Sequence, residues 1–113
     1  MDLVQRIFRE DLQNAGLPAP IQEHQFAKAA LMRKWALDYA WPEWLAALEV
    51  EGGIWRKGGG AHSHPSGIIR DIEKYNAATL LGWRIYRVIP GRLNEPAVVT
   101  HVERLLRLGG WSR

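Results

Sequence analysis

The chain has 113 residues, a formal net charge of +3, a sequence pI near 9.6 and no cysteine. The missing cysteines exclude disulfides and cysteine-ligated zinc and fit a cytoplasmic protein. A hydrophobic share of 47% with no apolar run of membrane-spanning length predicts one globular domain over residues 1–113, no membrane partner and no secretory leader. The mild basic excess permits a polyanionic partner without requiring one.

Leu3 to Leu17 reads as a helix whose apolar stripe is Val4, Ile7, Phe8, Leu12 and Ala15. Gly16 and Pro18 end it. Asp11 falls inside the stripe, either as an acid lent to a site or as a stripe-edge residue reaching solvent. Pro18-Ala19-Pro20 is a rigid connector, and Ile21 to Ala27, with Glu23 and His24, reads as an extended segment.

Lys34 to Trp41 alternates strictly. Trp35, Leu37, Tyr39 and Trp41 are predicted on one face, with Ala36, Asp38 and Ala40 on the other. Pro42 ends the strand because it cannot donate a ladder hydrogen bond. Leu45 to Glu51 is the returning arm, stopped by Gly52-Gly53. A turn tip at Glu43-Trp44 sets Asp38 opposite Glu49 on one face, and a slip of one residue would separate them. Carboxylates so opposed repel unless a cation neutralises them. Hard oxygen ligands suit Mg²⁺ or Mn²⁺. The competing reading is a solvated outer face that happens to carry two acids.

Ile54 to Gly67 is a glycine-rich loop holding Arg56, Lys57, His62 and His64. The histidines suit acid–base work or a phosphate contact, since imidazole titrates near neutrality. From Ser66 or Gly67 a helix runs to Leu81, with Ile68, Ile72, Tyr75 and Thr79 as the expected buried stripe. Asp71 and Lys74 flank that stripe. They form a helical ion pair and nothing more, or Lys74 carries a positive charge to the acids. Trp83 to Ile89 is a strand reached by a crossover beside the hairpin. Asn94 and Pro96 open a last helix with Val98, Val99, Val102, Leu105 and Leu106 inward. The expected fold is α/β: a mixed sheet containing an antiparallel hairpin and flanked by helices.

An acid on one strand followed by an acid-x-polar triplet on the next, here Asp38 and Glu49-Val50-Glu51, resembles the PD-(D/E)XK nuclease superfamily. The closer likeness is to the very-short-patch-repair type of endonuclease and its small stand-alone phage and bacterial relatives. It rests on Asp38-Tyr-Ala-Trp-Pro42, the strand from Leu45 to Gly52, His62 and His64, Asp71, and Gly82-Trp83-Arg84-Ile85. The resemblance implies a restriction-endonuclease-like core and a metal-dependent endonuclease acting on DNA. It also implies Asp38, Glu49 and the Val50 carbonyl as ligands of Mg²⁺ or Mn²⁺. The superfamily's lysine position holds Glu51, so Glu51, His62, His64 or Lys74 is left to orient the water. Arg56, Lys57 and Arg70 are the expected DNA-backbone contacts, and Asp71, Glu23 and Asp11 the accessory acids. A nuclease-fold DNA-binding module without catalysis is the alternative, and a homodimer would suit cutting both strands.

Overall fold

The computed structural model describes residues 2–51 and 65–113. The loop carrying Arg56, Lys57, His62 and His64 lies outside the described residues. In chain order the elements are α1 (Leu3–Asn14), β1 (Ile21–His24), the short α2 (Lys28–Leu31), β2 (Leu37–Trp41) and β3 (Ala46–Val50). There follow α3 (Pro65–Leu80), β4 (Arg84–Val88) and α4 (Pro96–Leu108). The four strands form one mixed sheet in the order β1-β2-β3-β4. The first three are antiparallel, and β4 runs parallel to β3. The chain is therefore α/β with an antiparallel hairpin and flanking helices, as the pattern of elements predicts.

Helices cover both faces of the sheet. Phe8 and Leu12 of α1 and Val98, Val102 and Leu106 of α4 pack with Tyr39, Trp41, Ala46, Leu48 and Val88 on one face. Ala77 and Ala78 of α3 pack with Phe26, Ala27, Leu37, Ala40 and Ala47 on the other. On β2 and β3 nearly every position is sealed, because both faces are covered. A capping box of Asp2 and Gln5 closes the start of α1. One hydrogen bond ties the connector after α1 to β2, the Trp41 indole donating to the Pro18 carbonyl at 2.7 Å.

The hairpin register is the expected one, with Tyr39↔Leu48, Ala40↔Ala47 and Trp41↔Ala46. The connection between Trp41 and Ala46 is a four-residue loop. Pro42–Trp44 makes a 3₁₀ turn, and Leu45 closes it in the left-handed region at φ +50°. The predicted alternation of β2, however, slips at Asp38. Trp35 and Leu37 pack on the α3 side with Ala40 and Ala47, while Tyr39 and Trp41 pack under α1 and α4.

The apolar stripe expected on α3 is also corrected. Ile68, Ile69 and Ile72 are 45%, 55% and 55% exposed, and Thr79 is exposed as well. The buried positions are Gly67, Ala77 and Ala78, with Lys74 and Tyr75 half-buried between them. Small side chains let the helix lie close over Ala40 and Ala47. That close approach brings Lys74 and Tyr75 down onto β3. At α4 the N-cap is Glu95, not Asn94. The Asn94 amide instead donates to the Val4 carbonyl at 3.0 Å, tying the last helix to the first.

Candidate metal centre

Asp38 and Glu49 are one step beyond the pair Tyr39↔Leu48, so they stand opposite each other across β2 and β3. On the outer side, Glu23 lies between the pairs Gln22↔Tyr39 and His24↔Leu37, which sets it across from Asp38. On the inner side Glu49 pairs with Arg87 of β4. One row of the sheet therefore reads Glu23, Asp38, Glu49, Arg87. Glu23 holds its place with φ at +52°, a left-handed backbone that costs a side-chain-bearing residue roughly 1–2 kcal/mol. Backbone strain of this kind gathers at functional sites.

The two central carboxylates replace ladder hydrogen bonds. The Asp38 N–H donates to Glu49 Oε2 at 2.9 Å, and the Val50 N–H donates to Asp38 Oδ2 at 2.7 Å. This exchange accounts for the slipped alternation, because the strands part where side chains take over the pairing. Glu49 is 3% exposed and is the one charged residue in the core among the described residues. Its Oε1 accepts from the Lys74 ammonium and, at 3.1 Å, from the Tyr75 hydroxyl. The same hydroxyl lies 3.3 Å from Glu51 Oε1, which the Arg87 guanidinium also holds through Nε. Arg87 stacks on the Tyr75 ring at 4.5 Å.

Burial raises Asp38 to about 7, and the charge and carboxyl contact of Glu49 add to the shift, with Glu23 contributing from further off. The Val50 N–H opposes the shift. Tyr75 is pushed up by burial and by both glutamates, so its phenol stays a donor. Arg87 is pushed up chiefly by its hydrogen bond to Glu51. Counting charges in the network, Asp38, Glu49 and Glu51 face Lys74 and Arg87. Those five balance while Asp38 keeps its proton, and once it ionises, with Glu23 beside it in the row, the acids are in excess. That is the condition in which a hard cation is held by oxygen ligands.

A cleft of about 320 Å³ opens beside the pair, with Glu23, Asp38 and Val50 among its walls. Of the expected ligands, Asp38 and Val50 line this cleft, while Glu49 is buried and already accepts from Lys74, Tyr75 and the Asp38 N–H. Among the described residues no group of three or more histidine, aspartate or glutamate side chains converges as a ready cage. A hard cation there would rely on the two carboxylates, the carbonyl and water.

The structure thus joins Asp38, Glu49, Val50, Glu51 and Lys74, five residues singled out from the sequence. Glu23 reaches the same row and cleft. Asp71 lines a groove with Tyr75 and Arg87 on the α3 side. Asp11 is half-buried on α1 and takes no part in the network, and Arg70 is exposed on α3. Sequence reading missed Tyr75 as a site residue and Arg87 altogether. The signal for Arg87 was its place in β4, opposite Glu49 once β4 is laid parallel to β3. Its own neighbours in the sequence carry no hint of it.

Comparison with known proteins adds little. Two curated relatives, uncharacterized proteins of Mycobacterium tuberculosis strains H37Rv and CDC 1551, are each 29% identical over 82 residues. The match covers 66% of this chain and 28% of each relative, so the chain spans less than a third of the length of these proteins. No family model matches, and no solved structure matches.

Proposed function

We propose that the protein is a metal-dependent endonuclease that hydrolyses phosphodiester bonds in DNA, with Mg²⁺ or Mn²⁺ held by Asp38, Glu49 and the Val50 carbonyl. The observation that carries this reading is the reciprocal lock of Asp38 and Glu49 across β2 and β3. It brings two carboxylates together where ladder hydrogen bonds would otherwise run, with Asp38 at the wall of an open cleft and Glu49 buried behind it. Folding keeps this pair although burial and the Glu49 charge oppose ionisation of Asp38. A divalent ion held by these residues would acidify a bound water and neutralise charge on the phosphate. Lys74, already on Glu49, supplies a cation to the acid pair and takes the place that Glu51 leaves vacant in the resembled pattern. The Val50 N–H and Tyr75 hydroxyl fix the two acids in one orientation, which costs no reorganisation during reaction.

The test is cleavage of supercoiled plasmid, linear duplex and a four-way junction with Mg²⁺, Mn²⁺ or EDTA, beside calorimetric titration of Mn²⁺. Metal-dependent cutting and Mn²⁺ binding that both disappear in Asp38→Ala support the reading. Well-folded protein that neither binds Mn²⁺ nor cuts any substrate removes it.

A second reading, a DNA-binding module of nuclease fold without catalysis, draws on one feature. Glu49 already has the Lys74 ammonium as its counter-ion, so the site is partly neutralised without metal. Duplex binding that survives in EDTA and is unaffected by Mn²⁺, with no cutting, would favour it.

A further inference from the structure

Arg87 ends the acid row on the edge strand β4, and its side chain is 50% exposed. Its Nε is bound to Glu51, and its guanidinium plane rests on the Tyr75 ring at 4.5 Å. Among the described residues neither terminal nitrogen has a hydrogen-bond or ion-pair partner. The group is therefore gripped at its inner edge and from one face, with its outer edge left open. Arg87 lines a groove of about 400 Å³ between α3 and β4, one strand over from Glu49 in the same row. A flexible surface arginine samples many rotamers, whereas this one is held in one orientation with two parallel donors to spare. Such a fork matches the non-bridging oxygens of a phosphodiester, which a guanidinium can bind in bidentate fashion.

Resting on the nuclease reading, we propose that Arg87 is a direct contact to a DNA phosphate and that Glu51 and Tyr75 are its positioning residues. This gives Glu51 a role other than ligand or base. It stands where the resembled enzymes have lysine because here a cation is delivered from β4, and Glu51 orients that cation. Asp71, which lines the same groove, adds to the field holding the guanidinium charged.

The experiment is fluorescence anisotropy of a labelled duplex in EDTA over a range of salt, so that neither metal nor cleavage enters the readout. Arg87→Ala is expected to weaken binding roughly ten-fold, the worth of one charge-assisted contact. It should also reduce the slope of log affinity against log salt by about 0.9. Arg87→Lys is expected to restore the slope but not the affinity, since lysine has no fork and cannot be held through Nε. Glu51→Gln is expected to change nothing further once Arg87→Ala is present, because residues acting through one contact are not additive. Arg84, exposed on the same strand but three residues away and paired with Ala46 of the opposite face, is the control, and Arg84→Ala should leave affinity within about two-fold because it lies away from the groove.

An Arg84→Ala loss equal to that of Arg87→Ala overturns the assignment, since bulk charge would then explain both. Full rescue by lysine, or additive losses for Glu51 and Arg87, overturns the positioning role. These binding results stand whatever the cleavage assay shows. A protein that binds through Arg87 but never cuts refutes the nuclease reading alone.

Discussion

Asp38→Asn is expected to stabilise the metal-free protein above neutral pH and to leave it almost unchanged near pH 4. In the folded chain burial, first, and the Glu49 carboxyl, second, raise Asp38 to about 7 from its ordinary 3.8. Between those values the folded state holds a proton that the unfolded state has released. Stability is therefore fully present below about pH 4 and is lost as the pH rises through 7. At 1.36 kcal/mol per unit, a shift of about three units sets the loss at up to about 4 kcal/mol. A separate route gives a similar size. Two carboxylates about 5 Å apart at an effective dielectric near 20 repel by about 3 kcal/mol. Asparagine keeps an acceptor for the Val50 N–H and adds a donor towards Glu49, so the local geometry survives. The assay is urea unfolding in EDTA from about pH 4 to 8.5, with m-values compared to confirm that the same surface is exposed. Adding Mn²⁺ at high pH should raise the wild-type midpoint and not that of the variant. Wild-type stability that is flat across this window, or a variant less stable than wild type at high pH, would refute the reasoning.

Lys74→Met leaves Glu49, whose side chain is 4% exposed, without its cation, and should cost about 3 kcal/mol as an uncompensated buried charge. Urea unfolding at neutral pH reads this, and an unchanged midpoint would mean that Tyr75 and the Asp38 N–H suffice. Tyr39→Phe removes a buried hydroxyl that has no hydrogen-bond partner among the described residues and keeps the edge-on contact with Phe8 at 5.0 Å. Stability should hold or rise by about 1 kcal/mol. A clear fall would show that the hydroxyl is bonded after all, with Gln22 the first neighbour to examine.

The hairpin was legible because its information is local. Period-two alternation, Pro42 as terminator and the tight tip set the register, and register alone carried Asp38 to Glu49. The crossover to β4 was legible for the same reason, since strand, helix and strand in sequence leave little choice of placement. The alternation rule failed at Asp38 because it assumes a continuous ladder. Side-chain carboxylates that take backbone N–H groups break that ladder, and no composition rule anticipates the exchange.

The failure on α3 is of a different kind and bears on function. Hydrophobicity selected Ile68, Ile72, Tyr75 and Thr79 as the inward stripe; Tyr75 does turn inward, half-buried, but the buried positions are Gly67, Ala77 and Ala78. Burying the isoleucines would satisfy the transfer term for two large side chains, about 3–5 kcal/mol. It would also hold the helix off the sheet by the thickness of those side chains and turn Lys74 and Tyr75 away from Glu49. The chain instead spends its small residues on close approach and leaves isoleucines in solvent. What it gains is a lysine and a tyrosine on a carboxylate that is 3% exposed. A helix that gives up apolar burial to deliver polar groups to a buried acid is a local conflict with the packing rule, and such conflicts are where a fold yields to its site. The same reasoning explains why Lys74 could be reached from sequence only as one of two options. Its spacing from Asp71 is equally good for a surface ion pair, and the choice between them depends on which face of α3 lies down.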